Sequence, residues 1–536
     1  MRNQYLIYKI WWLLYLLPLF GYTQTRDSEH IHAHFSHSIA IAGEIVWLKC
    51  YSMTTEGPAA SKIAYAELVN RDGEAVQQVM FDMENGQGFS HLEIPSHLPS
   101  DHYLIRCYTR ISPLMGEKGV FNQFITIINP KAPPAYQVPN QSKPVAFTPP
   151  QHTPVPFTPN RAKSNSAIQL NLPALEKQDD ALLSISLKNP FLPSHLEGYV
   201  HGQIYESPQN FPLIPELFGH IVYGKINEPV NQQETYYLSA HGKQSVLYSD
   251  RANAQGELFF ELGPMKEYNY FIVQSADFEK QLDFQVISPF IKLKFKSGFD
   301  FPPLLLNQSD KPFLEELLTA GRTATYFTEI KADSRLPIVT GFIADKTYLL
   351  DDYTRFESVE VTLREYVPDV LVRKRGKKTV FKLLNNPLGS VFDNNPLLLI
   401  DAMPVFDSDQ LAAFDPKKIK MLEVLSREFS FNLDKFEGVL SFSTFDNDFG
   451  GYEIPANALY LNYPSFQPNL IPEIGRISSM PHYPNFRNVL AWQHLSIDQS
   501  ISFSTAETSG LYEIRLSQLS TGNGFQQYKH EFEVTK

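Results

Sequence analysis

Cysteine is scarce: Cys50 and Cys107 are the only two in 536 residues. Neither stands near an N-terminal cleavage site, so a lipid anchor on a new N-terminal cysteine is not expected. Charge is also sparse, at 19% of residues, and the formal balance is −12. An acidic chain of this kind lacks the basic surface that general nucleic-acid binding needs. Glycine, at 27 residues, is outnumbered by proline at 39. Beyond residue 24 no apolar run is long enough to span a bilayer as a helix. The sequence has no G-x-S-x-G, no H-E-x-x-H and no glycine-rich phosphate loop, so the commonest hydrolase, zincin and nucleotide signatures are missing. What is present is a folded composition: 43% hydrophobic residues, with Phe 39 and Tyr 27. Proline with many aromatics favours short strands, turns and extended linkers over helical bundles. The length gives a prior of about three to four domains.

Residues 1–24 read as a secretory signal peptide. Arg2 and Lys9 supply the positive start, and Ile10 to Phe20 (IWWLLYLLPLF) form an apolar core that ends before polar TRDSEH. This run is shorter than the roughly 20 residues a membrane helix needs; the other reading is a retained N-terminal anchor. Export puts the mature chain in the periplasm or at the outer membrane. In an oxidising compartment Cys50 and Cys107 can pair as a disulfide. The alternative is two buried thiols filling core space, and sequence alone does not give the distance between them.

The fold class expected is mostly β and multidomain, with sandwiches and one small α+β unit. Residues 26–130 alternate in and out over short segments such as Ile45–Ser52 and Asp101–Tyr108. Hairpin turns are expected at Asn70–Gly73 (NRDG) and Asn85–Gly88 (NGQG). Residues 131–165 are a proline-rich, extended linker. Residues 166–300 return to strands and read as a second sandwich. Residues 301–344 connect onward and hold the best helix signal, started by Asp310 and Pro312. Residues 345–450 mix short helices with strands as a compact α+β unit, and 475–536 close the chain with sandwich strands.

Several groups could carry chemistry. His30, His32 and His34 would share one face of a strand, as three imidazoles holding zinc or copper do; the plainer reading is a polar strand. Asp351 and Asp352, with Glu357 and Glu360 nearby, form either a carboxylate pair or an acidic turn before a helix. Asp446 and Asp448 in TFDNDFGG resemble a calcium loop but lack its full spacing and closing Glu. Arg373, Lys374, Arg375, Lys377 and Lys378 make the only dense basic run, either a solvated turn or a contact for anionic headgroups or a partner.

Four stretches carry resemblances. Ala42-Gly43-Glu44, Val46-Trp47-Leu48-Lys49, Tyr65, Glu67, Asp72-Gly73, Tyr103 and Arg106-Cys107-Tyr108 resemble the macroglobulin-like domain of the alpha-macroglobulin superfamily, in the form found in Bacteroidota envelope proteins. The segment 216–274, with Glu216 to Gly219-His220-Ile221, Tyr223-Gly224-Lys225, Tyr237-Leu238-Ser239, Gly242-Lys243 and Gln255 to Phe260, looks like the second β-domain of those proteins. Pro396 to Asp401, Met403-Pro404-Val405, Phe414 to Ile419 and Gly438 to Thr444 resemble the plug domain of TonB-dependent outer-membrane receptors. Asn485 to Trp492 and Ser509 to Tyr512 resemble the C-terminal domain of the same group. Too little chain follows the plug-like unit to form a transport barrel. The thioester motif and bait segment of protease-trapping macroglobulins are missing too. These resemblances imply a non-enzymatic envelope scaffold without cofactor or metal. Its partner would be an outer-membrane barrel or another envelope protein of a transport or secretion assembly. The alternative they imply is a macroglobulin-type inhibitor of extracellular proteases.

Overall fold

The computed structural model describes residues 29–536 except 116, 135–152, 155–159, 171–179, 201–203, 208–213, 228–230, 243, 264–267, 277–280, 331–338, 464–471, 475–483, 496–500 and 521–523. The expected signal peptide and most of the expected linker lie outside these residues. The described chain is mostly strand, arranged in several small sheets.

In the first sandwich one sheet holds His30–Phe35, Ile45–Thr54, Gly57–Pro58 and Gln87–Glu93. The facing sheet orders Tyr199–Val200, Phe121–Ile128, Asp101–Tyr108, Ile63–Val69 and Ala75–Asp82, with Ile39–Ile41 parallel to Phe121–Ile128. Alternate residues of each strand meet between the sheets: Ile31, Val46 and Leu48 from one, Ala66, Ile105 and Ile125 from the other. Asn85 and Gly86, at φ 49° and 71°, turn the chain into Gln87–Glu93, and Asn70 Oδ1 accepts from Asp72 N and Glu74 N at the other expected turn. The second sheet is buried on both faces. Tyr65, Leu104, Tyr108 and Phe124 on its outer side pack beneath Leu192, Tyr205, Ile291, Leu293 and Phe301. Ile63–Val69 is therefore buried at every position, which removes the in–out signal from its sequence.

The second sandwich is smaller than residues 166–300. It pairs His220–Ile226, Glu257–Gly263 and Phe284–Val286 in one sheet, and Thr235–Gly242, Ser245–Arg251, Tyr268–Ser275 and Leu459–Asn462 in the other. The earlier strands of the expected unit belong elsewhere. Asp180–Leu187 lies between Val489–Leu495 and Gly510–Ser520, and Ala167–Leu170 pairs with Ile501–Ser504. The last sandwich is thus built from both sides of the intervening 300 residues. Two short pieces of the expected linker, Thr153–Pro154 and Arg161–Lys163, run parallel along Gly524–Thr535. Helix Lys311–Thr323 begins after Asp310 with Pro312 in its first turn, as its sequence signals. It buries Leu317 and Ala320, and Leu317 joins the core of this sandwich.

The α+β unit has a five-stranded sheet, ordered Lys346–Leu349, Ile419–Leu425, Val439–Thr444, Leu397–Ile400 and Met403–Pro404. Helices Val359–Tyr366, capped by Ser358, and Ser408–Ala413, capped by Asp407, cover it. It does not stand free. Asn447 Nδ2 donates to Gly242 O and Ser245 Oγ, Arg251 pairs with Asp434 at 2.7 Å, and Asn432 Nδ2 donates to Ser249 O.

Candidate functional site

Period-2 geometry puts His30, His32 and His34 on the face of their strand opposite Ile31, Ala33 and Phe35, as expected. That face is an interdomain contact. His32 stacks on Phe525 with ring centroids 4.3 Å apart. His34 Nε2 lies 2.7 Å from Ser184 Oγ, and its ring meets Trp492 edge-on. Buried Lys49 sits over the Tyr51 and Phe89 rings and 3.2 Å from His494 Nε2. Burial, then Arg515 and Lys49, push His34 down to about 3, and burial with His30 and Lys118 pushes His32 down to about 4. These imidazoles are neutral packing groups between the first and last sandwiches. Among the described residues no group of three or more His, Cys, Asp or Glu is placed to hold a metal ion.

A second contact joins three parts of the chain around Glu216. Its Oε2 accepts from Tyr65 Oη at 2.7 Å. Its Oε1 lies 2.7 Å from His220 Nδ1 and accepts from Ile221 N at 3.1 Å, with Arg110 Nη1 at 3.4 Å. His220 Nε2 lies 2.7 Å from Tyr463 Oη. Burial opposes charge on Glu216, but His220, Arg110 and the Ile221 amide outweigh it and hold the carboxyl below its usual range. Burial, then Glu216, pushes Tyr65 well up, and burial does the same to Tyr463. An acid, an imidazole and a hydroxyl in line can activate a nucleophile. Here the hydroxyl is a phenol held protonated, and His220 and Glu216 are buried, so the line acts as a joint between the first and second sandwiches.

Beside the last sandwich, His37, Glu44, Trp47, Phe327, Arg487 and Asn488 line a cavity of about 30 Å³, room for about one water. Glu44 accepts from Ile41 N at 2.5 Å and Asn488 Nδ2 at 2.9 Å, yet burial raises it to about 7. Burial lowers His37 to about 4 and Arg487 to about 10.

The remaining candidates are dispersed. Asp351 pairs with Arg355 and Glu360 with Arg364, each along its own turn, so the four acids make no common site. Asp448 caps Gly450, while the TFDNDFGG turn is organised by Asp401, whose carboxylate accepts from Thr444 N, Thr444 Oγ1 and Phe449 N at 2.6 to 2.8 Å. Cys50 and Cys107 are buried free thiols.

The basic run forms the exposed end of the hairpin Val370–Arg375 and Lys378–Asn385, with Gly376 at φ 64° in the turn. Arg375 stands directly across from Lys378, and like charges in that position repel. Lys374 donates to Thr379 Oγ1, Arg375 to Asp393 O, and Lys382 to Asp393 Oδ1. A hydroxyl, a carbonyl and a carboxylate therefore meet three cations of the hairpin. At the opposite end of the same sheet Leu388 is 77% exposed, and at the tip of Phe429–Phe436 Leu433 is 74% exposed.

No protein-family model matches the chain, and no curated protein matches it. Among solved structures, it is similar over 95% of its length to alpha-2-macroglobulin of E. coli in its native conformation, at 8% identity and a TM-score of 0.24. It is similar over the same share to Salmonella alpha-2-macroglobulin reacted with methylamine, at 8% identity and a TM-score of 0.23. A third neighbour is dimeric latent PorU of Porphyromonas gingivalis, at 9% identity and a TM-score of 0.15. The chain spans about 40% of the length of the macroglobulin chains. A likeness of this size carries no argument about family or activity.

Proposed function

We propose that this chain is an exported, non-enzymatic binding scaffold of the cell envelope, associated with an outer-membrane transport or secretion assembly. One observation carries the reading. The exposed cations of the 373–378 run and the exposed apolar tips Leu388 and Leu433 sit on hairpin ends of the α+β unit, while His32, His34 and Glu216 are used up inside interdomain contacts. Asn447, Asn432 and the Arg251–Asp434 pair hold the α+β unit on the second sandwich, and the Glu216 contact holds the second sandwich on the first. Hairpins held on such a base lose little freedom when a partner docks, which favours binding. On this reading the α+β unit, which resembles a receptor plug, is the partner-facing module, and the sandwiches space and orient it.

The test is capture from solubilised outer membranes, using the full mature chain as bait beside a Lys377→Glu/Lys378→Glu variant. Recovery of one outer-membrane protein at a fixed ratio by the parent, and at least fivefold less by the variant, supports the reading. Equal recovery by both chains, or no outer-membrane protein with either, overturns it.

A further inference from the structure

We propose that Cys50 and Cys107 form an intramolecular disulfide that ties the two sheets of the first sandwich together. Cys50 belongs to the inward set Val46, Leu48 and Cys50 of Ile45–Thr54. Cys107 belongs to the inward set Tyr103, Ile105 and Cys107 of Asp101–Tyr108 in the opposite sheet. The two side chains enter the same core from opposite walls, both fully buried, and after burial the neighbouring Cys50 thiol is what pushes the Cys107 thiol up.

Three of the four ladder neighbours of this pair are small; the fourth, across from Cys107, is Phe121. Cys50 lies between Ala33 and Gly88 across its ladders, and Cys107 is paired with Ala66 on one side. Facing sheets ordinarily stand about 10 Å apart. A disulfide needs Cα atoms within about 7 Å. Three flanking positions no larger than a methyl group leave room for the sheets to approach at this point. Gly88 is held to that size: a Cβ there would lie 2.4 Å from Asp82 O and 2.7 Å from Met83 Sδ.

The covalent step is thiol–disulfide exchange with a small disulfide such as oxidised glutathione. One cysteine thiolate attacks a glutathione sulfur and expels one glutathione thiolate, leaving a mixed disulfide. The second cysteine thiolate attacks the protein sulfur and expels the other. The two cysteines lose two electrons and two protons, and the oxidant leaves as two glutathione thiols. Burial pushes the Cys107 thiol well up and shields both sulfurs, so exchange belongs to folding, before the sheets close.

In cells the bond also rests on the export proposed above; in the tube it does not. The full chain is unfolded with reductant, then refolded with either mixed oxidised and reduced glutathione or reduced glutathione alone. Thiols are counted in denaturant, and peptides are mapped by mass spectrometry. Expected after oxidative refolding are zero thiols in place of two, a monomer on a non-reducing gel, and one cross-linked peptide joining residues 50 and 107. Its unfolding temperature should rise by at least about 5 °C, while a Cys50→Ala/Cys107→Ala chain shows the same temperature in both buffers. Two free thiols in the oxidatively refolded monomer, bonds between chains, or persistent glutathione adducts would overturn the proposal. If the chain does not refold, the same thiol count and peptide map on protein secreted through a bacterial periplasm decide it by the same criteria. A bond made in the tube but absent from the native cells supports the proposal and counts against export.

Discussion

Replacing Glu216 by alanine tests whether the sandwiches are locked together. The carboxylate receives Tyr65 Oη, Ile221 N and Arg110, and it faces the Nδ1 of His220. Its removal leaves these buried groups with no acceptor, except that Arg110 Nη1 keeps Ile221 O at 2.9 Å. Breaking a buried, hydrogen-bonded ion pair from one side costs about 3–5 kcal/mol, and each orphaned neutral donor adds about 1–3 kcal/mol where no water replaces the acceptor. Water entering the space left by the carboxylate can take over the neutral donors, so the ion-pair term sets the expectation: a loss of about 4 kcal/mol for Glu216→Ala, and about half of that for Glu216→Gln, which keeps shape and one acceptor oxygen. The assay is hydrogen exchange of the Tyr65, Ile221 and Val222 amides under native conditions, which reads the opening of this joint apart from global unfolding. Faster exchange by a factor of about 10³ corresponds to 4 kcal/mol. A change below about tenfold would refute the view that this contact holds the two sandwiches together.

Other predictions concern titration, surface and backbone. His34 is held near 3 when folded against an ordinary 6.5. The folded state thus binds fewer protons than the unfolded one, and the contribution of His34 is full above pH 6.5 and lost as pH falls toward 3. Between pH 7.5 and pH 5 this costs about 2 kcal/mol, read as a drop in the urea midpoint that shrinks in His34→Gln. Glu44, raised to about 7 from 4.5, has the opposite sign: its contribution is full below pH 4.5 and lost as pH rises through 7. A Glu44→Gln chain should therefore lose less stability than the parent between pH 6 and pH 8. Lys377→Glu/Lys378→Glu changes only exposed positions and should leave the thermal midpoint within about 2 °C. Gly219→Ala should unfold the second sandwich or cost more than about 3 kcal/mol, because φ is +145° and the new Cβ would fall 1.8 Å from Gly263 O.

Local signals were readable and distant ones were not. Asp310 with Pro312, Ser358, and the Asn-Gly turn at 85–86 announce their structures within four residues, because caps and turns are made by neighbours. The shared face of His30, His32 and His34 follows from strand period alone. What that face touches does not, since Ser184, Trp492 and Phe525 arrive from other parts of the chain. The same holds for Asp180–Leu187: its alternation marks a strand, but nothing local says that its partners lie about 300 residues on. Of the partners of Glu216, His220 and Ile221 lie within five positions, while Tyr65 and Arg110 arrive from more than 100 residues away. Asp401 was read as the end of an apolar strand; its part in ordering the 444–449 turn depends on the parallel pairing of Leu397–Ile400 with Val439–Thr444. The acids at 351–360 and at 446–448 are clusters in sequence only: Asp351 and Glu360 pair with Arg355 and Arg364 one turn away, and Asp448 accepts from the Gly450 amide.

Cross-linking in intact cells, followed by fractionation and mass spectrometry, tests the account most directly. The expected result is a chain lacking residues 1–24, recovered with the outer membrane and linked through Lys377 or Lys378 to one envelope protein. A full-length chain retained in the cytoplasm, or cross-links confined to cytoplasmic proteins, would contradict it.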